Sequence, residues 1–594
     1  MTYHAPMREI RFVLETLGGL ARLRELGAPE APDDALAAAV LDEAARFAEQ
    51  ELAPLYRLAD ERGAAWADGR VQMAPEIVSA YRRFAEAGWP GMTAPAEHGG
   101  QALPEVLGIP AAEMWRSANL AFALCPMLTR SAIEALVEHG SSALKARYLP
   151  KLVSGEWTGT MNLTEPQAGS DLAAIETRAE PRAGHYLLRG RKIFITWGDH
   201  DLAENIVHLV LARSGPPGSG HRGLSLFAVP KFLPAEDGGP GERNDIVTVS
   251  LEHKLGIRGS PTCVLSYGDG GGAVGHLVGA EGEGLACMFT MMNRARLAVG
   301  VEGLGLAERA YQQARAYARE RVQGKPPGAD RAAPIWRHPD VRRMLLLMKA
   351  ATEAMRWLAY TAALESDFAA RAPDTAVAAR AAARVALLTP IVKGWCTELA
   401  QEVVSLGVQV HGGAGYIEDT GAAQILRDAR ITTIYEGTTG IQALDLARRK
   451  LLGDEGRTAF ALCAEIGAWC EERRSADALP RPVARGLAEG LRLVDEALRF
   501  LLARHREDPS LAGAVSFNML MLFGTVLGAW SHARAAAEAD RRLSSAADGE
   551  RGFLEAKRAT AVFYAEHLLP RARAYAAAVM AGSEGIMAID EADL

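Results

Sequence analysis

At 594 residues, 49% hydrophobic and 23% charged, the chain is too long for one core and reads as two to four globular domains. Its net charge of −8 lacks the basic surplus of nucleic-acid binders, so no nucleic acid is expected as partner. The six cysteines form no CxxC pair and sit among apolar neighbours, which argues against a disulfide scaffold and predicts buried, reduced thiols.

The opening stretch, Met1 to Leu20, is interrupted by Arg8, Glu9, Arg11 and Glu15. It therefore reads neither as a signal peptide nor as a membrane span, and no later uninterrupted apolar run reaches about 18 residues. A cytoplasmic protein without a membrane partner is expected. Residues 1–33 read as a helical arm, Met7 to Leu26, ending in Gly27 and Pro29. A helical pattern runs from Asp33 or Asp34, as N-cap, to about Asp60, with Leu36, Val40, Leu41, Ala44 and Phe47 at helical spacing. Further helices are predicted over 74–88, 104–116, 117–139 and 141–153.

The texture changes near Trp157. Short β-type runs follow: Tyr186–Leu188, Lys192–Trp197, Ile206–Ala212, Leu224–Val229, Ile246–Leu251 and Thr262–Ser266. Gly, Pro and Asp clusters separate them, which predicts a compact antiparallel sandwich or barrel with flexible loops at Ser214–Arg222 and Leu233–Asn244. Helical periodicity returns over 284–321, 336–365, 375–408, 420–428 and 438–452, and a last helical block covers about 457–594. The expected domains are 1–33 (arm), 34–156 (helical), 157–280 (β), 281–455 (helical bundle) and 456–594 (additional helical domain).

Several segments carry chemistry-bearing residues. Leu163 to Asp171 is a Pro- and Gly-containing loop in which Thr164 and Ser170 supply hydroxyls beside backbone N–H groups, a wrapping for a polar heterocycle or a phosphate. In Phe194-Ile195-Thr196-Trp197, simple alternation puts Phe194 and Thr196 on one face, where ring and hydroxyl suit a flat ligand. Arg294 and Arg296 are cations for a phosphate or ribose, while Arg319, Arg321, Gln323 and Lys325 form a second polar cluster at a helix end. Gln409 to Tyr416 is a Gly-rich turn that allows close backbone approach to a diphosphate. His411 lies in that turn without a second ligand at metal spacing, so no metal is expected. Gly270 to Gly275 matches GxGxxG, but no helix or βαβ unit follows, so a dinucleotide fold is rejected. In Tyr435-Glu436-Gly437-Thr438-Thr439 a single acid follows an apolar run and precedes a glycine. A carboxylate held in a dry site has a raised pKa and acts as a base towards a weakly acidic C–H.

Together these motifs, in this order and continued by Arg427-Asp428-Ala429-Arg430, resemble the acyl-CoA dehydrogenase family over about residues 35–455. The N-terminal Tyr3-His4-Ala5-Pro6-Met7-Arg8 and the C-terminal block are similar to its extended subgroup, which includes enzymes resembling 3-methylmercaptopropionyl-CoA dehydrogenase. The resemblance implies an α+β multidomain fold: an N-terminal helical domain, a middle antiparallel β-barrel or sandwich, a C-terminal four-helix bundle and an extra helical domain. It also implies FAD, with Met161, Leu163, Thr164, Phe194, Thr196 and Thr438 at the flavin, and Arg321, Gln323, Gln409 and Gly413 reaching its pyrophosphate and adenosine across a subunit interface. Ser170, Asn293, Arg296 and Arg448 would meet CoA, Tyr435 and Gly437 would flank the thioester, and Glu436 would be the base. The implied reaction is α,β-dehydrogenation of an acyl-CoA, such as 3-(methylthio)propanoyl-CoA or another short or medium chain. A homodimer is implied, with an electron-transferring flavoprotein as acceptor. The alternative is a flavin-containing, nucleic-acid-associated stress protein of the same fold. Three positions depart from the family pattern: Phe194 replaces a Trp beside the flavin, Asn293 replaces a frequent Asp, and the loop after Arg321 is one residue shorter.

Overall fold

The N-terminal arm is two helices rather than the single run expected. Gly18, at φ +62°, turns the chain between α1 (Met7–Leu17) and α2 (Gly19–Glu25). Pro29, the expected stop, lies outside the residues described by this computed structural model, which are 3–27, 31–216, 218–475 and 478–593. Asp33 caps α3 (Asp34–Phe47) by accepting the Leu36 N–H at 2.7 Å. A wider turn, Ala48–Leu52, then Pro54, separates α3 from α4 (Leu55–Arg62), so the pattern expected to run to Asp60 is also divided. A small hairpin that periodicity did not reveal follows, β1 (Ala65–Ala67) and β2 (Arg70–Gln72), then α5 (Pro75–Glu86). The two helices expected over 104–139 are present as the halves of α6 (Glu105–His139): at Asn119 the chain leaves helical geometry (φ −159°, ψ 92°) and its side chain accepts the Phe122 N–H, opening the second half. The domain ends with α7 (Ser142–Ser154).

The middle domain contains β3 (Trp157–Asn162), β4 (Arg178–Arg182), β5 (His185–Thr196), β6 (Asn205–Arg213) and β7 (Leu224–Pro230). After the hairpin β8 (Phe232–Pro234) and β9 (Pro240–Arg243) come β10 (Ile246–Leu251), β11 (Thr262–Tyr267) and β12 (Ala273–Val278). The main sheet runs β10-β11-β5-β12-β7-β6-β3, with β4 against β5 and β6. Its pairings are antiparallel except that β3 and β4 each lie parallel to β6. The loop expected over Leu233–Asn244 is thus largely a hairpin, and the glycines of the GxGxxG match lead into a strand, which bears out their rejection. Leu188, Val210, Phe227, Leu265 and Tyr267 form the domain's own core.

The helical bundle begins with α8 (Gly284–Glu320), α9 (Pro339–Arg371) and α10 (Thr375–His411), followed by α11 (Gly413–Tyr416), α12 (Ala422–Arg430) and α13 (Thr439–Asp445). Helix α8 packs against α6, α9 and α10. At Gly300 the approach to α10 is close enough that a Cβ would lie 2.6 Å from Val392 Cγ1. The last block holds α14 (Arg457–Ser475), α15 (Arg481–Arg504), α16 (Leu511–Leu543), α17 (Asp548–Phe563) and α18 (Arg571–Met580). Its central helix α16 packs on α9, α10 and α13, so the block shares the bundle's core. It also holds the N-terminal arm: Lys557 pairs with Glu9 and, at 3.0 Å, with Glu353, while Arg542 meets Glu15 at 2.7 Å. By length and composition α6, α10 and α16 are apolar enough to cross a membrane; here 83%, 39% and 78% of their most apolar windows are buried inside the fold. Five of the six cysteines are buried and all six are free thiols.

Candidate active site

Two residues that the motifs contained, but whose pairing they did not reveal, hold the first wall of the site. Lys192, on β5, is fully buried and its Nζ donates to Glu165 Oε1 and to the Leu163 carbonyl, each at 2.8 Å. The Glu165 carboxylate also accepts the Glu176 and Thr177 N–H groups, and Ile193 N–H donates to the Thr164 carbonyl. Burial pushes the Glu165 carboxyl up, but Lys192 and these donors outweigh it and hold it below the usual carboxylate range. The loop from Leu163 is thereby pinned to β5, leaving Met161, Leu163 and Thr164 half-buried along its edge and Ser170 exposed.

Strand β5 is irregular towards its end. The ladder to β11 shifts register between Ile195 and Lys192, and Phe194 takes φ +59°. Phe194 is 59% exposed, with Thr196 half-buried beyond it. Despite the bulge, Phe194 and Thr196 lie on the more open side with Ile195 and Trp197 buried, as the strand period predicts. Trp197 points inward and its Nε1 donates to the Ala121 carbonyl of α6.

Glu436 sits between α12 and α13 at φ +55°, an uncommon conformation for a side-chain-bearing residue. Gly437 follows at φ +86°, where an added Cβ would meet the Gln442 amide at 2.6 Å. We expect Gly437→Ala to destabilise the protein by about 1–2 kcal/mol, read from its denaturation midpoint. Thr438 caps α13, its hydroxyl accepting the Ile441 N–H. The Gln442 amide donates to the Glu436 carbonyl at 3.3 Å. Among the described residues the Glu436 N–H has no intrachain acceptor, and Glu436 Oε2 is buried without a partner.

Charged groups act on this carboxyl from two helices, Arg296 and Glu302 on α8 and Lys393 on α10, while Arg116 on α6 acts on Glu302 and Tyr435; each is at most 6% exposed. Tyr435 Oη donates to Glu302. Arg116 Nε and Nη1, Arg296 Nε, Glu302 Oε1 and Lys393 Nζ have no hydrogen-bond partner among the described residues. Unpaired buried groups of this kind are costly and mark functional sites. Burial, joined by the Glu302 charge, pushes the Glu436 carboxyl up to about 7 against the opposing pull of Arg296 and Lys393. Desolvation likewise lowers Lys393 to about 8. Such a carboxyl takes up and releases a proton near neutral pH, as a general base must.

The other expected residues divide between the two sides of the molecule. Arg294 turns away to pair with Glu105 and Glu134, tying α8 to α6, so of the two arginines only Arg296 acts on the Glu436 carboxyl. Arg296 Nη1 contacts exposed Asn293 at 3.2 Å and lies over Phe289. Arg448 is exposed; its neighbour Arg449, which the motifs did not mark, shares the Phe289 ring. Arg321 and Gln323 are exposed beyond α8, and Gln409 and Gly413 are exposed at the end of α10. The Tyr317 and His411 rings, 4.4 Å apart, bring these two helix ends together. His411 donates through Nδ1 to the Gly407 carbonyl, and no metal-binding group of three or more ligands occurs among the described residues. Arg427 and Asp428 join the domains: Arg427 pairs with Asp60, and Asp428 accepts from Tyr56 Oη at 2.7 Å and from the Ile257 N–H. A cavity of about 590 Å³ lies elsewhere, between the N-terminal arm, α8 and α9, and contains none of these candidate site residues.

Sequence comparison agrees with this geometry. Residues 36–156, 160–269 and 282–451 match the N-terminal, middle and C-terminal domains of acyl-CoA dehydrogenase, and 462–590 match the acetyl-CoA dehydrogenase C-terminal-like domain. The chain belongs to the acyl-CoA dehydrogenase family. It is 48% identical over 572 residues to 3-methylmercaptopropionyl-CoA dehydrogenase of Ruegeria pomeroyi, covering 96% of each chain. Two solved structures share the fold across nearly the whole length. One is Caenorhabditis elegans ACDH-11 in complex with C11-CoA (TM-score 0.76, 23% identity, 96% of this chain and 92% of that one). The other is a Bacillus anthracis acyl-CoA dehydrogenase complexed with FAD (TM-score 0.70, 22% identity, 95% and 90%).

The protein is an oxidoreductase acting on CH–CH groups of acyl-CoA, with FAD as cofactor. Its own residues suit a flavin: an outward-facing Phe194 beside the Thr196 hydroxyl, the half-buried edge from Met161 to Thr164, and an exposed Gly413 where an added Cβ would meet nothing within 4 Å.

Proposed function

We propose that Glu436 is the base that removes the α-proton of a short acyl-CoA, with 3-(methylthio)propanoyl-CoA as the leading substrate. The observation that carries this is the half-buried Glu436, whose Oε2 is buried without a partner among charged groups of α8 and α10. The 48% identity supports the substrate, because it extends over the arm and the last helical block as well as the catalytic domains. Tyr435 and Gly437 flank the thioester, while Arg296, Asn293, Ser170 and Arg448 serve CoA. Met161, Leu163, Thr164, Phe194, Thr196 and Thr438 hold the flavin of their own subunit. Arg321, Gln323, Gln409 and Gly413, all exposed, serve the adenosine side across a homodimer interface. An electron-transferring flavoprotein is the electron acceptor, and the cytoplasm is the compartment.

Bound FAD supplies the acceptor for the β-hydride. The chain's part is to make the α-proton removable. The Glu436 N–H, with no intrachain acceptor, donates to the thioester oxygen as charge builds there; one such donor is typically worth about 3–4 kcal/mol. The substrate's acyl group excludes water from the carboxyl and keeps its proton affinity high. Because Glu436 must be ionised to act and its carboxyl is pushed up to about 7, we expect kcat/KM to rise with pH through about 7. A profile flat from pH 6 to 8 sets the base elsewhere. An acyl-CoA panel read by flavin bleaching tests the substrate: methylthiopropanoyl and short chains should bleach fastest, and a marked preference for long chains overturns that assignment.

A further inference from the structure

Glu302 has no role in the reading above, yet it lies fully buried in the same cluster as the base. It projects from α8 one and a half turns beyond Arg296, where Gly300 and Gly303 let α8 approach α10 closely. Its carboxylate is fixed by Tyr435, the residue preceding Glu436, through a hydrogen bond to Oε2, while Oε1 has no partner among the described residues. A structural ion pair with Arg116 would close face to face, with donors and acceptors satisfied. Here Arg116 keeps Nε and Nη1 unpartnered and acts on Glu302 only at longer range. Glu302 is thus a second acid tied through Tyr435 to the residue before the first, rather than one half of a closed pair.

Resting on the assignment of Glu436 as base, we infer that Glu302 is a positioning residue that strengthens it, through its like charge when ionised and through its hydrogen bond with Tyr435. In the proton-removal step the α-C–H bond breaks and an O–H bond forms on Glu436. The electron pair stays on the substrate as it becomes an enolate, and Glu302 neither gains nor loses a proton. Neutralising Glu436 relieves its repulsion with ionised Glu302, which favours the protonated product. The opposing charges are Arg296 on α8, itself drawn to Asp445, and Lys393 on α10, drawn also to Glu398; Arg116 on α6, beside Arg130, acts on Glu302 and Tyr435. Glu302 is itself pushed up to about 7 by burial, so the two carboxyls titrate as a coupled pair.

The test isolates proton removal. 3,3-Dimethylbutanoyl-CoA has α-hydrogens but no β-hydrogen, so α-exchange with deuterium oxide, followed by NMR, reports the base alone. We expect Glu302→Gln to move the acid limb of exchange about one pH unit lower and to slow its plateau about tenfold. Glu302→Asp, which keeps the charge, should retain the wild-type limb. Should Glu302→Gln fail to fold because Arg116 is stranded, the double variant Arg116→Gln/Glu302→Gln removes both charges and should show the same shift. An unmoved limb in the neutral variant overturns the inference and leaves Glu436 as base. No exchange in the wild type overturns the base assignment itself.

Discussion

Replacing Glu436 by Gln is expected to slow acyl-CoA dehydrogenation by about 10⁴-fold while the purified protein keeps its fold and its yellow cofactor. The amide occupies the same volume among the charged groups of α8 and α10 but cannot accept the α-proton. The same substitution should stabilise the protein at alkaline pH. The Glu436 carboxyl is pushed from 4.5 up to about 7, so the folded state binds that proton more tightly than the unfolded state does. Stability is therefore lost as pH rises from about 4.5 through 7, and a neutral amide escapes the loss. Thermal melts should show Glu436→Gln more stable by about 1–3 kcal/mol at pH 8 and nearly equal to wild type at pH 4. A variant that is active, or one destabilised at pH 8, contradicts a desolvated base at this position.

Lys192→Met is expected to produce the second large effect, a protein purified with little flavin and destabilised by about 3–5 kcal/mol. Lys192 is fully buried against Glu165, and its loss leaves that carboxylate in an apolar strand environment without its cation. The loop from Leu163 would then lose its attachment to β5, and with it the wall beside Phe194. Adding Glu165→Gln should recover part of the stability, because it removes the unpaired charge and its amide oxygen still accepts one of the two N–H groups, Glu176 or Thr177, that the carboxylate held. Visible absorbance measures the flavin and denaturant titration measures the stability. Full flavin content in Lys192→Met would show that the loop is held by other contacts.

The motifs marked the parts of the site in chain order, and the comparisons bear out the family and the cofactor. Local sequence patterns were read well wherever one element decides its own geometry. Asp33 caps its helix, Ile246–Leu251 is a strand with the expected ends, and the glycines at 270–275 do not start a helix. The reading failed where a distant partner or a backbone irregularity intervenes. The parallel placement of β3 on β6 and the register shift beside Phe194 each depend on neighbours far along the chain. Arg294 and Arg296 look alike in sequence, two residues apart; only packing against α6 sends the first to Glu105 and Glu134 and leaves the second beside the Glu436 carboxyl.

What the amino-acid sequence determined by itself was the family, the order of domains, the use of a flavin and the acid, Glu436, on which the proposed function rests. These follow from side chains and short spacings that travel with the local chain. The tertiary structure alone decided the company that acid keeps. Arg116, Arg296, Glu302 and Lys393 come from positions separated by up to about 280 residues and meet only because α6, α8 and α10 pack together. Desolvation and like charge act through space, so the proton affinity of Glu436 is a property of that packing and not of any motif.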